Sequence, residues 1–461
     1  MENNLDTDKV RGLVWRLAFP SMLAQFVSVF YSIVDRMYIG NIAEIGDIAL
    51  AGVGVCGPIV TMISSVAFWV GIGGSPLLSI RLGQKNEKKA KETLANCFLL
   101  LSVMSVIITI LSLALKDHLL VWFGASETVF PYADEYITVY LLGTVFALLS
   151  TGMNQFIICQ GFAKKGMQSV ILGAVMNILL DPLFIFVLKM GVKGAAVATV
   201  LSQLCSALFV LHFLFGPVPQ VGISFGGYRP RLMGRILATG LTPFLIIAVD
   251  NLMIIVLNAL LQRYGGESQG DLLVAAATIS QSFMLVVTMP LGGMTGGTAS
   301  ILGYNLGAGQ PKRILEAQKY ILILAVAYTG VLCLVGQLFA APFTRIFTPD
   351  VQVSALAVNA IRITTLGIVP LGVQYVIVDG LTGMGMMRYS LPLSAFRKAV
   401  YFIALFALPA AFGARAAFYA EPISDIAGPV VSIAVYALCI RRILDFPADP
   451  PAAENKSTLP S

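Results

Sequence analysis

Charge is scarce in this sequence. Only 12% of its 461 residues are Asp, Glu, Lys or Arg, against 57% that are hydrophobic. Soluble domains carry about a quarter charged residues, so a soluble multi-domain enzyme is excluded at the outset. Histidine is scarcer still. His118 and His212 stand alone, with no second ligand at metal-binding spacing, which argues against a zinc site. Cys56, Cys97, Cys159, Cys205, Cys333 and Cys439 form no C-x-x-C pair and nearly all sit in apolar runs, where a thiol reads as a small hydrophobe. No G-x-x-x-x-G-K-S/T is present, which removes ATP hydrolysis. Neither H-E-x-x-H nor a nucleophile with its base is visible, which argues against a membrane-embedded enzyme. Alternating ten-residue strands are missing, which argues against an outer-membrane barrel. Residues 1–10 carry Glu2, Asp6 and Asp8 rather than a basic stretch, so the first apolar run is expected to stay as a membrane span.

What the chain does have is apolar length. Runs of 20 or more residues recur, enough to cross a hydrocarbon core of about 30 Å at about 1.5 Å per residue. Twelve spans are expected near 14–39, 48–80, 93–115, 131–158, 168–188, 194–216, 233–261, 272–303, 318–340, 351–380, 389–412 and 416–440. The fold class is an all-α polytopic membrane protein. So many spans leave short loops and no room for a soluble catalytic domain. The stretch 217–232, with Pro217, Pro219, Gly222, Gly226, Gly227 and Pro230, reads as a linker. It divides an N-lobe (1–216) from a C-lobe (233–443), followed by a tail at 444–461.

Basic residues orient the spans. Lys9, Arg11, Arg16, Arg81, Lys85, Lys88, Lys89, Lys91, Lys164, Lys165, Arg229, Arg231, Arg235, Lys312, Arg313, Lys319, Arg388, Arg441, Arg442 and Lys456 fall on one side. Arg36, Lys116, Lys189, Lys193, Arg263, Arg345 and Arg415 fall on the other, and Arg362, Arg397 and Lys398 lie within spans. By the positive-inside rule both termini are cytoplasmic and the location is the inner (cytoplasmic) membrane. The loop lysines follow directly on spans, so they are read as topological rather than as a nucleic-acid surface. The lipid bilayer is the only macroscopic partner expected, and the chain is expected to act as a monomer.

The two halves repeat. Gly73, Leu82, Gly83, Lys88 and Lys89 recur as Gly297, Leu306, Gly307, Lys312 and Arg313, an offset of 224; Pro20 and Asp35 recur as Pro243 and Asn258, an offset of 223. Six spans per half make the copies parallel repeats about an axis along the membrane normal, as in several secondary transporters. The architecture expected is two pseudo-symmetric six-helix bundles around a central cavity.

Ionisable groups inside a membrane are functional candidates by default. Four carboxylates stand out: Asp35, Asp181, Asp250 and Asp379. On the first span Gln25, Ser28, Ser32 and Asp35 are spaced 3, 4 and 3 and share a helical face, with Tyr31 beside it. Asn177 and Asp181 stand four apart on the fifth. Pro182 would free the carbonyl of Ile178. A carboxylate, an amide oxygen and a carbonyl then face together, a set suited to a hard cation such as Na⁺, to which Thr199 would add a hydroxyl. The competing reading is a hydrogen-bonded seam between helices. Tyr31, Phe30, Phe146, Gln281, Phe283, Met284 and Met289 are candidates to line an adaptable cavity, against ordinary packing.

At this point the chain resembles the multidrug and toxic compound extrusion (MATE) family of secondary antiporters. The residues that carry the resemblance are Pro20 with Asp35, the stretch GGSPLLSIRLGQKNEKK from Gly73 and its counterpart GGTASILGYNLGAGQPKR from Gly296, NILLDPLFIF from Asn177, and GAAVATVLSQ around Thr199. The resemblance implies a MATE-like fold of two six-helix lobes and export of organic cations in exchange for Na⁺ or H⁺, with no other cofactor. It implies a cation-coupling site at Asp35, Asn177, Asp181 and Thr199, with Tyr136 and Asn154 as further polar members; with Na⁺ as the coupling ion, the first four would be its ligands. Some relatives place coupling acids in the C-lobe, a role open to Asp250 and Asp379. For Asp379 an ion pair with Arg397 on the next span competes.

The mechanism expected is alternating access, with a first helix kinked at Pro20, a second hinge at Pro182 and rocking of the lobes. Gln25, Tyr31, Asp250, Gln281, Met284 and Asp379 are the candidates for the substrate cavity. The alternative is a flippase for a lipid-linked precursor, which would need a basic cavity where this N-lobe is acidic. A pure channel fits less well, since a broken polar helix within a repeat suits alternating access.

Overall fold

A computed structural model describes residues 4–42, 45–348 and 350–444. Among them eleven helices are long and apolar enough to cross a membrane, and a bent pair makes the twelfth span. They are α1 (Val10–Gly40), α2 (Ile48–Gly83), α3 (Glu87–Trp122), α4 (Phe130–Leu142 and Thr144–Ile158, bent by 56°), α5 (Ala163–Val187) and α6 (Gly191–Phe215). The second half supplies α7 (Pro230–Gly266), α8 (Gln269–Gly307), α9 (Pro311–Phe347), α10 (Val351–Gly383), α11 (Met387–Phe412) and α12 (Ala414–Ile440). The tail expected at 444–461 lies, beyond Leu444, outside the described residues.

Several helices outrun the apolar stretches that announce them. Polar residues continue the helix beyond the apolar core, as at the start of α3, where the Asn86 side chain accepts from the Lys89 N–H at 3.1 Å. α1 runs as one helix through Pro20, whose ring removes one backbone hydrogen bond. At Pro182 α5 changes its winding. The α-helix stops there and a π-turn, Leu183–Val187, completes the span.

Within the N-lobe α1 packs on α5 and α5 on α6, and within the C-lobe α12 packs on α11 and α10. Both α6 and α12 are launched from a left-handed glycine, Gly191 (φ +56°) and Gly413 (φ +85°). Only glycine takes this conformation without strain.

The lobes meet in the half of the membrane nearer the termini. Trp69 on α2 stacks on Phe244 of α7 with ring centroids 4.4 Å apart and donates its indole N–H to the Leu237 carbonyl at 2.8 Å. Lower down, α2 and α8 cross at backbone contact. A Cβ on Gly83 would stand 2.0 Å from the Tyr304 carbonyl oxygen, and one on Gly307 2.0 Å from that of Ile80. The segment before α1 seals the same side. Leu5 is fully buried, and Arg313 at the start of α9 donates to the carbonyls of Leu5 and Asp8, both at 3.0 Å. This interface closes the side that holds the termini.

Candidate functional site

In the half of the N-lobe away from the termini, α1, α4, α5 and α6 converge on polar side chains. Asp181 is 0% exposed and Asn177 1%. The i, i+4 spacing on α5 sets them on one face, and the Asn177 amide donates to Asp181 Oδ1 at 3.3 Å and to Thr199 Oγ1 of α6 at 3.4 Å. Asp35 reaches in from α1 and lies within electrostatic range of Asp181. Three oxygens, Asp35 Oδ1, Asn177 Oδ1 and Asp181 Oδ2, are buried with no donor among the described residues. Uncompensated carboxylate burial costs several kcal/mol. The donor set is oxygen only, the chemistry that suits a hard monovalent cation or a proton.

Tyrosines surround the pair. Tyr31 and Tyr136 both lie within electrostatic range of Asp35. Tyr136 stacks on Tyr140 at 6.3 Å, and Tyr140 sits beside Ser64 and Gln203. Tyr140 and Gln203 were not singled out by sequence. The signal for Gln203 was its place four residues after Thr199, on the same face of α6; its Oε1 is another buried oxygen without a donor among the described residues.

Asn154 does not join this group. It accepts from Ser169 Oγ at 3.2 Å and donates to the Gly166 carbonyl at 3.4 Å, tying α4 to the other end of α5. Twelve residues separate Ser169 from Asp181, about 18 Å of helix. Gln25, half-buried on α1, packs its stem against Gly293 of α8 where the lobes meet. Met284 is 6% exposed and Phe283 3%, both in the C-lobe core, where Phe283 meets Phe343 edge-on at 5.2 Å. Core packing therefore replaces the cavity role expected of Met284. Gln281 is half-buried on α8.

The C-lobe corrects the expectation for Arg397. Asp379 takes a hydrogen bond from Thr295 Oγ1 at 2.6 Å, while Arg397 donates to Asp425 on α12 at 2.7 Å. The reason is steric. Gly428 lets α12 close onto the Arg397 side chain, a Cβ there standing 2.9 Å from Arg397 Cγ. Lys398 forms an ion pair with Asp250 of α7. Asp425 is 0% exposed, its Oδ2 has no donor among the described residues, and Glu421 lies one turn before it within electrostatic range. Glu421 and Asp425 were missed in the sequence. Two signals pointed to them: Arg397 and Lys398 needed partners, and the step from Gly191 to Gly413 carries Thr199 and Gln203 onto Glu421 and Asp425, all at an offset of 222.

Comparison with known proteins agrees with this double architecture. The MatE family profile matches residues 20–183 and again residues 246–408. The chain is 23% identical to the multidrug export protein MepA of Staphylococcus haemolyticus, covering 93% of this chain and 94% of that protein. It is 26% identical to a FAD transporter of Shewanella oneidensis, over 92% and 93%. A solved outward-facing structure of a multidrug resistance MATE family transporter superposes with a TM-score of 0.87 at 25% identity, covering 95% of this chain and 97% of that one. With a family match in each half and the fold to go with it, this chain is a multi-pass membrane transporter that belongs to the MatE family.

Proposed function

We propose that this transporter exports amphipathic organic cations from the cytoplasm in exchange for Na⁺ or H⁺, with both termini cytoplasmic and the lobes alternating access to a central cleft. One observation carries the reading: Asp35, Asn177 and Asp181 present three buried oxygens with no donor among the described residues. A proton or Na⁺ relieves the cost of that arrangement, and so does a cationic substrate. When ion and substrate favour opposite-facing states, each drives the other by linkage. The export of multiple drugs by the MepA relatives supports the substrate class.

A flippase for a lipid-linked anion is disfavoured, because Arg397 and Lys398 are each spoken for by a carboxylate and supply no basic cavity. The test is Asp35→Asn in vesicles. Cation-driven efflux of a fluorescent organic cation is expected to disappear at normal expression; wild-type efflux from this variant overturns the coupling site.

A further inference from the structure

The C-lobe network has a charge mismatch. Asp250, Glu421 and Asp425 supply three carboxylates, and Arg397 and Lys398 supply two cations. Burial inside a membrane penalises the surplus negative charge, and Asp425 Oδ2 shows it structurally as a buried carboxylate oxygen without a donor among the described residues. One cation of the network has more than one carboxylate within range. Lys398 pairs with Asp250, yet Asp425 and Glu421 lie within its electrostatic range as well. The two ends of the Lys398–Asp250 pair differ. The lysine side chain is 8% exposed and the aspartate 46%. A half-exposed carboxylate in mid-span suits a water-filled cavity better than lipid. Tyr375 of α10 and Tyr401 of α11 complete the polar surroundings.

We propose that this network is a second binding site, for the ammonium or other single positive charge of an organic substrate. The site rests on the reading of the chain as a cation exporter. The substrate cation takes Asp250, Lys398 swings to Asp425 and Glu421, and Arg397 keeps its bond to Asp425. Three carboxylates are then matched by three positive charges. Lys398 is a tethered stand-in for the substrate, holding Asp250 while the cleft is empty. The site therefore selects single positive charge, and neutral ligands cannot displace the lysine.

Ethidium binding to the purified full-length chain in detergent tests this, read by fluorescence polarisation at constant pH and salt. Asp250→Asn is expected to weaken binding at least tenfold, which is about 1.4 kcal/mol. Lys398→Gln removes the competitor and is expected to tighten binding several-fold. Asp425→Asn deprives the displaced lysine of its second partner and is expected to weaken binding in the presence of Lys398 but not in its absence. A Lys398→Gln variant that binds like wild type or more weakly, with an unchanged melting profile, overturns the proposal. Should the variants fail to fold, the wild type decides: ethidium must outcompete an uncharged phenanthridine at least tenfold, and equal binding overturns the site. Efflux from vesicles keeps the two readings apart. Wild-type ethidium efflux with unaltered binding in all three variants refutes this site alone. Charge-selective binding with the expected variant effects, but no efflux under any gradient, supports this site and refutes the exporter reading.

Discussion

Adding one methyl group at Gly307 should pry open the side of the molecule that holds the termini. A Cβ there would sit 2.0 Å from the Ile80 carbonyl oxygen, and its pseudo-symmetric counterpart on Gly83 would sit 2.0 Å from that of Tyr304. Both obstacles are backbone atoms in mid-helix, so no side chain can rotate away. Restoring an ordinary contact of about 3.4 Å requires α2 and α8 to separate by about 1.4 Å. Overpacking of this kind costs about 1–3 kcal/mol. Because the contact exists only while this side is closed, the cost falls on the closed state alone and shifts the equilibrium toward opening about 5- to 150-fold. Spin labels at Lys164→Cys and Arg388→Cys, exposed positions on the two lobes at that side, read the separation in lipid nanodiscs. None of the six native cysteines is exposed, so labelling favours the introduced sites. Gly307→Ala and Gly83→Ala should each enrich a longer distance. An unchanged distribution in both variants refutes the idea that this crossing holds the side shut.

Three further outcomes follow from the same geometry. Arg313→Ala removes the donors to the Leu5 and Asp8 carbonyls; hydrogen bonds to charged groups are worth about 1.5–3 kcal/mol, so the same label pair should show more opening, and an unaltered distribution denies the N-terminal segment a sealing role. Asn177→Leu removes one donor-free oxygen together with the amide that holds Asp181 and Thr199. Efflux driven by a cation gradient should fall at least tenfold at normal expression, and full retention in vesicles counts against Asn177 as a coupling residue. Asp250→Asn should narrow or shift the range of drugs tolerated by overproducing cells while leaving cation dependence in place, and loss of all cation dependence would move coupling to the C-lobe.

The architecture was largely legible because a membrane leaves few options: apolar length sets the spans and the shared offset of Gly73 and Gly83 with Gly297 and Gly307 sets the halves. Helix ends were less legible, since polar residues outside the hydrocarbon core, such as Glu87 and Lys88, carry helix without an apolar signal. Spacing along one helix brought Asn177 and Asp181 to one face correctly. It says nothing about which neighbour a face meets. Hence Arg397 was expected opposite Asp379 and instead meets Asp425, through room made by Gly428. Met284 went astray for the same reason: a side chain of suitable chemistry lines a cavity only if no other helix covers it.

In the proposed cycle the buried oxygens of Asp35, Asn177 and Asp181, which have no donor among the described residues, couple cation entry to substrate exit. The most direct measurement is efflux of a fluorescent organic cation from vesicles, with Na⁺ and pH gradients imposed separately, for the wild type and Asp35→Asn side by side. At least one gradient should drive efflux by the wild type, and neither should drive it in the variant. Equal gradient-driven efflux from both would contradict this coupling.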